Sequence, residues 1–298
     1  MATTGFEIPA DLSPLLDVAR VHAWADDADE STRRWLGIYL AEAAFFHRVL
    51  APDLDRLRPG SNVLEIGSGI GLLSRLIAQR GHRVVAFEPA AAGFGDMHTY
   101  SQLLDECWLP APVGDIALHA APFHASSIPD ARFDVCFAIN VIEHVPEPSA
   151  MVAEATSLLQ PGGHGRFICP NYLIPYEPHF GFPTLVSKRL TGKVLRRRIE
   201  QSSLPDSVQF WDDLAWPTHH SMHRGLRSSG VDHSFSRTTL LAYADRLRDP
   251  VFLERKGSFF KLLAGSARPL FDLTARHIPA TIGPVLDITT RPSGASGL

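Results

Sequence analysis

One stretch decides the fold: residues 63–71 read Val63-Leu64-Glu65-Ile66-Gly67-Ser68-Gly69-Ile70-Gly71. A short apolar run that ends in glycines is typical of a buried strand, and the helical pattern of residues 70–80, closed by Gly81, follows at once. Glycines at such a turn let the backbone come close to a ligand, because a side chain there would fill the ligand's space. The stretch therefore predicts a strand, a ligand-binding glycine loop and a helix.

Strand-like and helical patterns alternate along most of the chain. Strands are expected at 62–66, 83–88, 114–119, 133–139, 164–169, 231–237 and 283–290, with intervening helices that include 147–159 and 217–229. Such alternation implies right-handed crossovers and a parallel sheet covered on both faces. We expect an α/β fold: a Rossmann-like, doubly wound, mostly parallel seven-stranded sheet with helices on both faces.

The pattern also suggests a division of the chain within one integrated domain. Residues 1–60 are expected to form an N-terminal helical cap with an amphipathic helix over 31–50, which Pro52 and the Arg58-Pro59-Gly60 segment stop. Residues 61–170 form the core. The proline- and aromatic-rich residues 171–216 interrupt the alternation and predict an inserted substrate lid. Residues 217–298 complete the sheet and add helices, with a helical pattern over 239–275.

Composition excludes several classes of protein. With 298 residues, of which 45% are hydrophobic and 20% charged, the chain has the composition of an ordinary globular protein. The net charge of −4 argues against nucleic acid as a partner. Cys107, Cys136 and Cys169 are too few and scattered for a disulfide framework, and we expect them to be reduced. No secretory signal or long apolar run is present, which favours a cytoplasmic enzyme.

Two carboxylates accompany the glycine loop. Glu65 lies inside the first strand, where a carboxylate is costly unless it accepts hydrogen bonds, and it suits an ammonium-bearing ligand better than a pyrophosphate. Glu88 ends the second strand, seventeen residues after Gly71, where a carboxylate can accept both ribose hydroxyls. Nicotinamide enzymes use the same device, so Glu88 indicates an adenosine-containing cofactor without identifying it.

Four segments in order carry a more specific resemblance: VLEIGSGIG (63–71), VVAFEP (84–89), FDVCFAINVIEHV (133–145) and LLQPGG (158–163). They resemble the successive motifs of class I S-adenosylmethionine (SAM)-dependent methyltransferases. Within that superfamily, the chain is most similar to the small-molecule branch that includes the ubiquinone-biosynthesis O-methyltransferases. The resemblance covers about residues 60–170.

The resemblance implies SAM as cofactor and assigns residues to it. The loop packs against the methionine part, Glu65 helps hold the amino group, Glu88 takes the ribose hydroxyls, and Asn140 contacts the methionine end. Adenine lies between the loop after Glu88 and residues 121–124, which include Phe123. The family often places an acid before this last stretch, whereas this chain has Ala121-Pro122-Phe123-His124. The loop residues concerned are Gly67, Ser68, Gly69 and Gly71.

Methyl transfer to a hydroxyl benefits from a base, and histidine suits that task near neutral pH. His144 follows the fourth strand, where ligands of such sheets bind, although it could equally cap or pack the loop. His179 lies in a proline-stiffened segment after the fifth strand, which could equally be simple packing. We take both as candidate catalytic residues. The same segment supplies candidate substrate contacts at Tyr172, Tyr176 and Glu177.

Two further groups leave alternatives open. His219 and His220 begin a later helix and are candidate substrate contacts. His219 and His223 share a helical face, as two metal ligands could. A third ligand has no obvious place in the sequence, so we expect no metal. Residues 188–198 hold six basic side chains, which form a solvated helix, a patch for an anionic substrate or a weak contact with acidic lipid, without stable membrane insertion.

These observations predict a SAM-dependent enzyme that methylates a small molecule, most simply on a hydroxyl oxygen with histidine-assisted deprotonation. One alternative is an NAD(P)-dependent oxidoreductase, against which the G-x-G-x-G spacing speaks. Another is a non-catalytic SAM-binding protein. A nucleic-acid or protein methyltransferase is disfavoured because Asn140-Val141-Ile142-Glu143 stands where an Asn-Pro-Pro-Tyr-type motif would grip a planar nitrogen.

Overall fold

The computed structural model describes residues 7–89, 97–109, 113–202, 204, 206–246, 265 and 277–292. The helices are α1 (Val18–Asp27), α2 (Glu30–Leu54), α3 (Leu72–Gln79), α4 (Met97–Cys107), α5 (Pro148–Ser157), α6 (Lys188–Val194), α7 (Arg196–Glu200), α8 (Ser207–Asp213), α9 (His219–Ser228) and α10 (Thr238–Arg246). The strands are β1 (Asn62–Ile66), β2 (Arg83–Phe87), β3 (Ile116–His119), β4 (Phe133–Ile139), β5 (Leu159–Pro170), β6 (Tyr176–Glu177), β7 (Phe182–Pro183), β8 (Asp232–Phe235) and β9 (Val285–Arg291).

A seven-stranded sheet with the strand order β3-β2-β1-β4-β5-β9-β8 confirms the expected fold. β1 pairs in parallel with β2, and β2 pairs in parallel with β3. β9 runs antiparallel to both β5 and β8. The sheet as a whole is mostly parallel. Helices lie on both of its faces. β6 and β7 form a separate antiparallel pair.

The chain divides into two compact units, Met1–Val135 and Cys136–Leu298. In the first unit, α2 begins at the N-cap Asp29, whose carboxylate accepts a hydrogen bond from the Thr32 backbone amide at 2.9 Å. The helix buries a stripe of large apolar side chains and continues past Pro52, contrary to the expected stop there. Proline in the last turn removes only one intrahelical hydrogen bond, which the buried stripe outweighs. The stripe includes Leu36, Leu40, Phe46, Val49 and Leu50.

In the second unit, β9 is fixed to its neighbours by buried polar contacts. Arg166 of β5 donates two hydrogen bonds of 3.0 Å to Asp287 of β9. The Asp287 carboxylate also accepts from the backbone amide and hydroxyl of Thr239, at the start of α10. Because every oxygen of Asp287 has a donor, this buried charge is compensated. The helical pattern expected over 239–275 is confirmed to Arg246, and its remainder falls outside the described residues apart from Gly265.

The expected lid, residues 171–216, contains β6, β7 and the short helices α6 to α8. It has a small apolar core of its own: Phe182, Ile199, Trp211 and Leu214. The position of this segment as a lid stays a prediction, as do the boundaries of the four expected regions. Among the helices that the structure describes, none combines the length and apolarity needed to cross a membrane. All three cysteines are buried and unoxidised.

Candidate functional site

The glycine loop between β1 and α3 depends on left-handed backbone at all three glycines. Gly67, Gly69 and Gly71 have φ angles of +75°, +54° and +72°, which residues with a Cβ rarely adopt. Gly71 is the N-cap of α3, so the helix begins at Leu72, two residues after the expected start. A Cβ on Gly69 would have no neighbour within 4 Å among the residues that the structure describes, so open space adjoins the loop on that side.

Glu88 closes the loop from the side of β2. Its carboxylate accepts a hydrogen bond of 2.7 Å from the backbone amide of Gly69. The Phe87 carbonyl just before it accepts from the amides of Gly67 and Ser68, at 2.7 and 3.1 Å. Burial raises the pKa of Glu88 above its ordinary value, although the Gly69 amide opposes that shift. Glu88 thus places a carboxylate at the end of β2, beside the loop.

Glu65 is almost completely buried, at 4% exposure. Its carboxylate accepts a hydrogen bond from the hydroxyl of Ser74 in α3. Burial raises the pKa of Glu65 to about 8, and the negative charge of Glu88 adds to the effect. A carboxyl group in this position favours a cationic partner, because a nearby positive charge would stabilise its ionised form. The position fits the ammonium group of an amino acid such as the methionine part of SAM.

Arg75, buried at 3% exposure, supports the loop from within α3. Its guanidinium donates to the Ile70 carbonyl at 2.9 Å, to the Ser101 carbonyl at 3.2 Å and to the carboxylate of Asp105 in α4. A Cβ on Gly71 would lie 2.7 Å from this guanidinium. Arg75 therefore supports the loop, and a side chain at position 71 would have to displace its guanidinium.

Phe123, expected near adenine, is buried in the first unit. Its ring packs edge-on against Phe87 with the centroids 5.5 Å apart, and His119 stacks on the same Phe87 at 4.7 Å. The first part of the loop after Glu88, residues 90–96, lies outside the described residues. The adenine contact therefore stays a prediction.

In the second unit, Asn140 follows β4 with a φ angle of +54°. The backbone amide of Asn140 donates a hydrogen bond of 2.8 Å to the Ile168 carbonyl, which fixes this left-handed backbone. Left-handed conformations at residues other than glycine are sparsely populated and tend to cluster at functional sites. The contact of Asn140 with the methionine end of SAM stays a prediction.

Glu177 and His179 form a tightly connected pair. The Glu177 carboxylate is fully buried and approaches His179 Nδ1 at 2.6 Å. It also accepts from the Tyr172 hydroxyl at 3.1 Å and from the Phe180 amide at 2.6 Å. Because the carboxylate accepts, we assign the Nδ1 proton to His179, which leaves the lone pair on its Nε2.

Glu143 lies beside this pair and is also fully buried, but neither of its carboxylate oxygens has a hydrogen-bond partner among the described residues. Its Oε1 lies 4.0 Å from Nε2 of His179 and 4.0 Å from Nε2 of His144. Burial raises the pKa of Glu143 to about 7, while the charge of His179 opposes that shift. An uncompensated buried carboxyl group suggests an absent ligand or proton.

His144 has a different environment from His179. Burial lowers the pKa of His144 to about 3, and the charge of His179 lowers it further. The two imidazoles have centroids 5.1 Å apart, and Phe210 packs edge-on against both. Glu143, His144 and His179 offer ligand atoms within 4.8 Å of one another, so these three side chains could also hold a metal ion.

The remaining substrate candidates fall into two places. Tyr172 stacks on Trp216 with a centroid distance of 5.1 Å, and Tyr176 belongs to the β6–β7 pair. His219 instead packs on Phe235 of β8, at 4.1 Å, and His220 is exposed on α9. Their substrate contacts stay predictions.

His223 Nδ1 lies 2.9 Å from Nε2 of His233 in β8, so these two imidazoles share a hydrogen bond.

Sequence reasoning missed four residues of these clusters: Ser74, Arg75, Glu143 and Phe210. Ser74 and Arg75 interrupt the apolar start of α3, and Glu143 stands between Ile142 and His144, so polar residues inside apolar runs were the available signal. Phe210 had no such signal, because its contact with the two histidines arises from tertiary packing.

The chain is similar to known proteins over most of its length. A family profile described as a methyltransferase domain matches residues 39–225. An uncharacterized protein of Mycobacterium tuberculosis (strain ATCC 25618 / H37Rv) is 33% identical over 276 residues, covering 91% of this chain and 92% of the relative. A ubiquinone biosynthesis O-methyltransferase of Azoarcus sp. (strain BH72) is 31% identical over 162 residues, covering 52% of this chain and 60% of the relative.

Among solved structures, a cyclopropane synthase from Mycobacterium tuberculosis is similar with a TM-score of 0.45 and 15% identity, covering 82% of each chain. The family profile spans well over half of the chain and contains the loop, Glu65, Glu88 and the Asn140–His144 segment. The chain therefore belongs to the methyltransferase-domain family and is a class I SAM-dependent methyltransferase.

Proposed function

We propose that the protein transfers a methyl group from SAM to a hydroxyl oxygen of a small molecule, with His179 as the general base. The hydrogen bond between Glu177 and His179 Nδ1, 2.6 Å long, carries this proposal. A buried carboxylate on Nδ1 fixes the tautomer and stabilises the imidazolium that forms when Nε2 accepts a proton. The similarity to ubiquinone biosynthesis O-methyltransferases supports oxygen as the methyl acceptor.

We propose that SAM is held by the loop residues Gly67 to Gly71, with Glu65 on its amino group and Glu88 on its ribose. The open space beside Gly69 and the buried carboxyl group of Glu65 support this assignment. Bound SAM supplies an electrophilic methyl group on a positively charged sulfur. The amide of Gly69 already occupies one oxygen of Glu88, so the other is the one we assign to the ribose.

His179 then removes the hydroxyl proton at Nε2, and the acceptor oxygen forms its bond to the methyl carbon as the carbon–sulfur bond breaks. Glu177 keeps its three hydrogen bonds and balances the charge on the imidazolium. Glu143 faces the same Nε2 and can take the proton on, because burial holds its pKa at about 7. His144 is a poor base, since burial lowers its pKa to about 3. We therefore assign His144 a packing role.

The test compares His179→Ala with His144→Ala in a screen of phenols and other small hydroxylated acceptors. Loss of a positioned base lowers turnover by about 10²- to 10⁴-fold, so His179→Ala should do so while SAM affinity stays unchanged in calorimetry. His144→Ala is the matched control, with a change below about tenfold expected. Equal turnover of His179→Ala and the unmodified protein would remove His179 from the mechanism.

A metal ion on Glu143, His144 and His179 would occupy Nε2 of His179 and prevent its action as a base. The proposal therefore expects turnover to survive dialysis against a chelator. Loss of turnover that Mg²⁺ or Mn²⁺ restores would contradict the base mechanism and reassign the three side chains as ligands.

A cytoplasmic location stays a prediction from the sequence.

A further inference from the structure

Residues 185–198, here called the basic–apolar segment, expose an unusual number of large apolar side chains. Four of them are solvent-accessible within ten residues, and a Val at 97% exposure is almost wholly in solvent. Contiguous exposed apolar side chains on a folded protein often mark a surface that binds a partner or a membrane. The four are Leu185 at 40%, Val186 at 97%, Leu190 at 43% and Val194 at 60% exposure.

The exposed apolar and basic side chains lie next to one another along the segment. Leu190 and Val194 lie one turn apart on α6, and Val186 is exposed in the chain just before the extended N-cap Ser187. Arg189 and Lys193 have the same spacing, each one position before an apolar residue, and Arg197 follows in α7, so exposed cations adjoin the apolar side chains. Thr191 within the segment and Ile199 just after it are buried. The segment is therefore amphipathic with an inward anchor and an outward basic–apolar face.

The outward face is held in a defined position. Thr191 is fully buried; its hydroxyl accepts from the Leu185 amide at 2.9 Å and donates to the Ser187 carbonyl at 2.8 Å. The ammonium of Lys188 donates to the Asp212 carbonyl at 2.7 Å. A Cβ on Gly192 would lie 2.7 Å from the Trp211 indole nitrogen, so α6 packs closely on α8. Exposure of the apolar side chains is thus a property of the packed structure.

Most basic side chains of the segment have no acidic partner among the described residues. Arg196 forms an ion pair with Glu200 at 2.9 Å. The other exposed cations make no ion pair with any residue in the described part of the chain: Arg189, Lys193, Arg197 and Arg198. Since the whole chain has a net charge of −4, this positive surplus is local.

Three partners can be compared on physical grounds. Water alone suits the cations but leaves the apolar side chains exposed. A small anion suits the cations and again leaves those side chains unused. A bilayer surface with acidic headgroups accommodates both, because phosphates pair with the cations and the acyl boundary takes the apolar side chains.

We propose that the basic–apolar segment docks the protein reversibly on bilayers that contain anionic lipid. Val186, Leu190 and Val194 enter the acyl boundary, and the flanking Arg and Lys side chains pair with lipid phosphates. The docking uses neither the glycine loop nor the Glu177–His179 pair, so it is independent of the proposed reaction.

The direct test labels Val186→Cys with an environment-sensitive dye. The three native cysteines are buried, so the new thiol is the one that reacts in the folded protein. Emission should shift to the blue on addition of phosphatidylcholine vesicles containing phosphatidylglycerol, and should not shift with phosphatidylcholine alone. Val113→Cys, at a position 80% exposed in the other unit, is the matched control and should show no shift with either.

Vesicle sedimentation separates the contributions of charge and apolar contact. Each cation near an anionic surface contributes about fivefold to partitioning, so removing four should lower it by at least about 100-fold. Replacing two valines with serine should lower it by at least about tenfold, and added salt should weaken binding of the unmodified protein. The variants are Arg189→Gln/Lys193→Gln/Arg197→Gln/Arg198→Gln, Val186→Ser/Val194→Ser, and as control Arg224→Gln/Arg227→Gln on the exposed face of α9.

Several outcomes would overturn the proposal. These are no binding of the unmodified protein to anionic vesicles, equal binding to neutral vesicles, or full binding by either segment variant. A loss in the α9 control as large as in the segment variant would show nonspecific charge attraction and would likewise refute it. An acidic protein as the true partner would appear as absence of vesicle binding.

Discussion

The affinity for SAM should rise steeply with pH, because the carboxyl group expected to receive its ammonium is protonated in the free protein. Burial holds the pKa of Glu65 at about 8. At pH 6 about 1% of the molecules then carry an ionised Glu65, and at pH 7.5 about a quarter do. If the ionised form binds SAM, the dissociation constant should fall about twentyfold over this interval.

Calorimetric titration with S-adenosylhomocysteine, which has the same amino group, measures this dependence. Titration at pH 6 in two buffers of different ionisation enthalpy should show release of nearly one proton per ligand bound. Glu65→Gln cannot ionise, so its affinity should be lower at pH 7.5 and nearly independent of pH. Glu88→Gln is the matched control: it should bind more weakly and still depend on pH, but over a lower pH range, because the charge of Glu88 contributes to the raised pKa of Glu65.

Two results would refute this reasoning. A dissociation constant that is constant between pH 6 and 7.5 would show that Glu65 is ionised before binding or does not meet the ammonium group. An identical slope in Glu65→Gln would assign the titration to another residue.

Three further predictions concern other parts of the structure. Glu177→Gln should lower turnover at neutral pH by about 10²-fold or more without changing SAM affinity, because a neutral amide no longer balances the charge of the His179 imidazolium; unchanged steady-state kinetics would contradict the pairing. Gly71→Ala should lower the free energy of unfolding by at least about 1 kcal/mol, since its φ angle is +72° and its Cβ would meet Arg75; a thermal melt at the unmodified temperature would argue against that packing. Asp287→Asn should lower the free energy of unfolding by about 3–5 kcal/mol, because it leaves the Arg166 guanidinium buried without its counter-charge; urea titration that gives a loss below about 1 kcal/mol would show that water reaches this pair.

Periodicity predicted the seven strands of the main sheet in their order along the chain, although β5 begins at Leu159, five residues before the expected start. β1 and β4 begin and end as expected, and β2 ends one residue early. The start of α3 differed because Gly71 adopts a left-handed conformation, which a periodic pattern does not reveal. The extension of α2 beyond Pro52 depends on burial of its apolar stripe, which is likewise a tertiary effect.

The candidate site divides in the same way. Glu65, Glu88 and the glycines were recognisable because each follows or interrupts an apolar strand. Glu177 and His179 are only two residues apart, yet their hydrogen bond depends on how the β6–β7 segment turns. The placement of Glu143 against His179, 36 positions later in the chain, required the folded structure.

The buried carboxyl group of Glu143 lowers the stability of the folded protein near neutral pH, although the proposed reaction uses it. Its pKa is raised from 4.5 to about 7, so ionisation favours the unfolded state increasingly as pH rises from 4.5 to 7, by about 3 kcal/mol above that range. Selection for thermal stability alone would therefore tend to remove this acid, as happens at other sites where activity requires a strained arrangement. A library selected for heat resistance should be enriched in uncharged residues at position 143 and depleted in active enzymes.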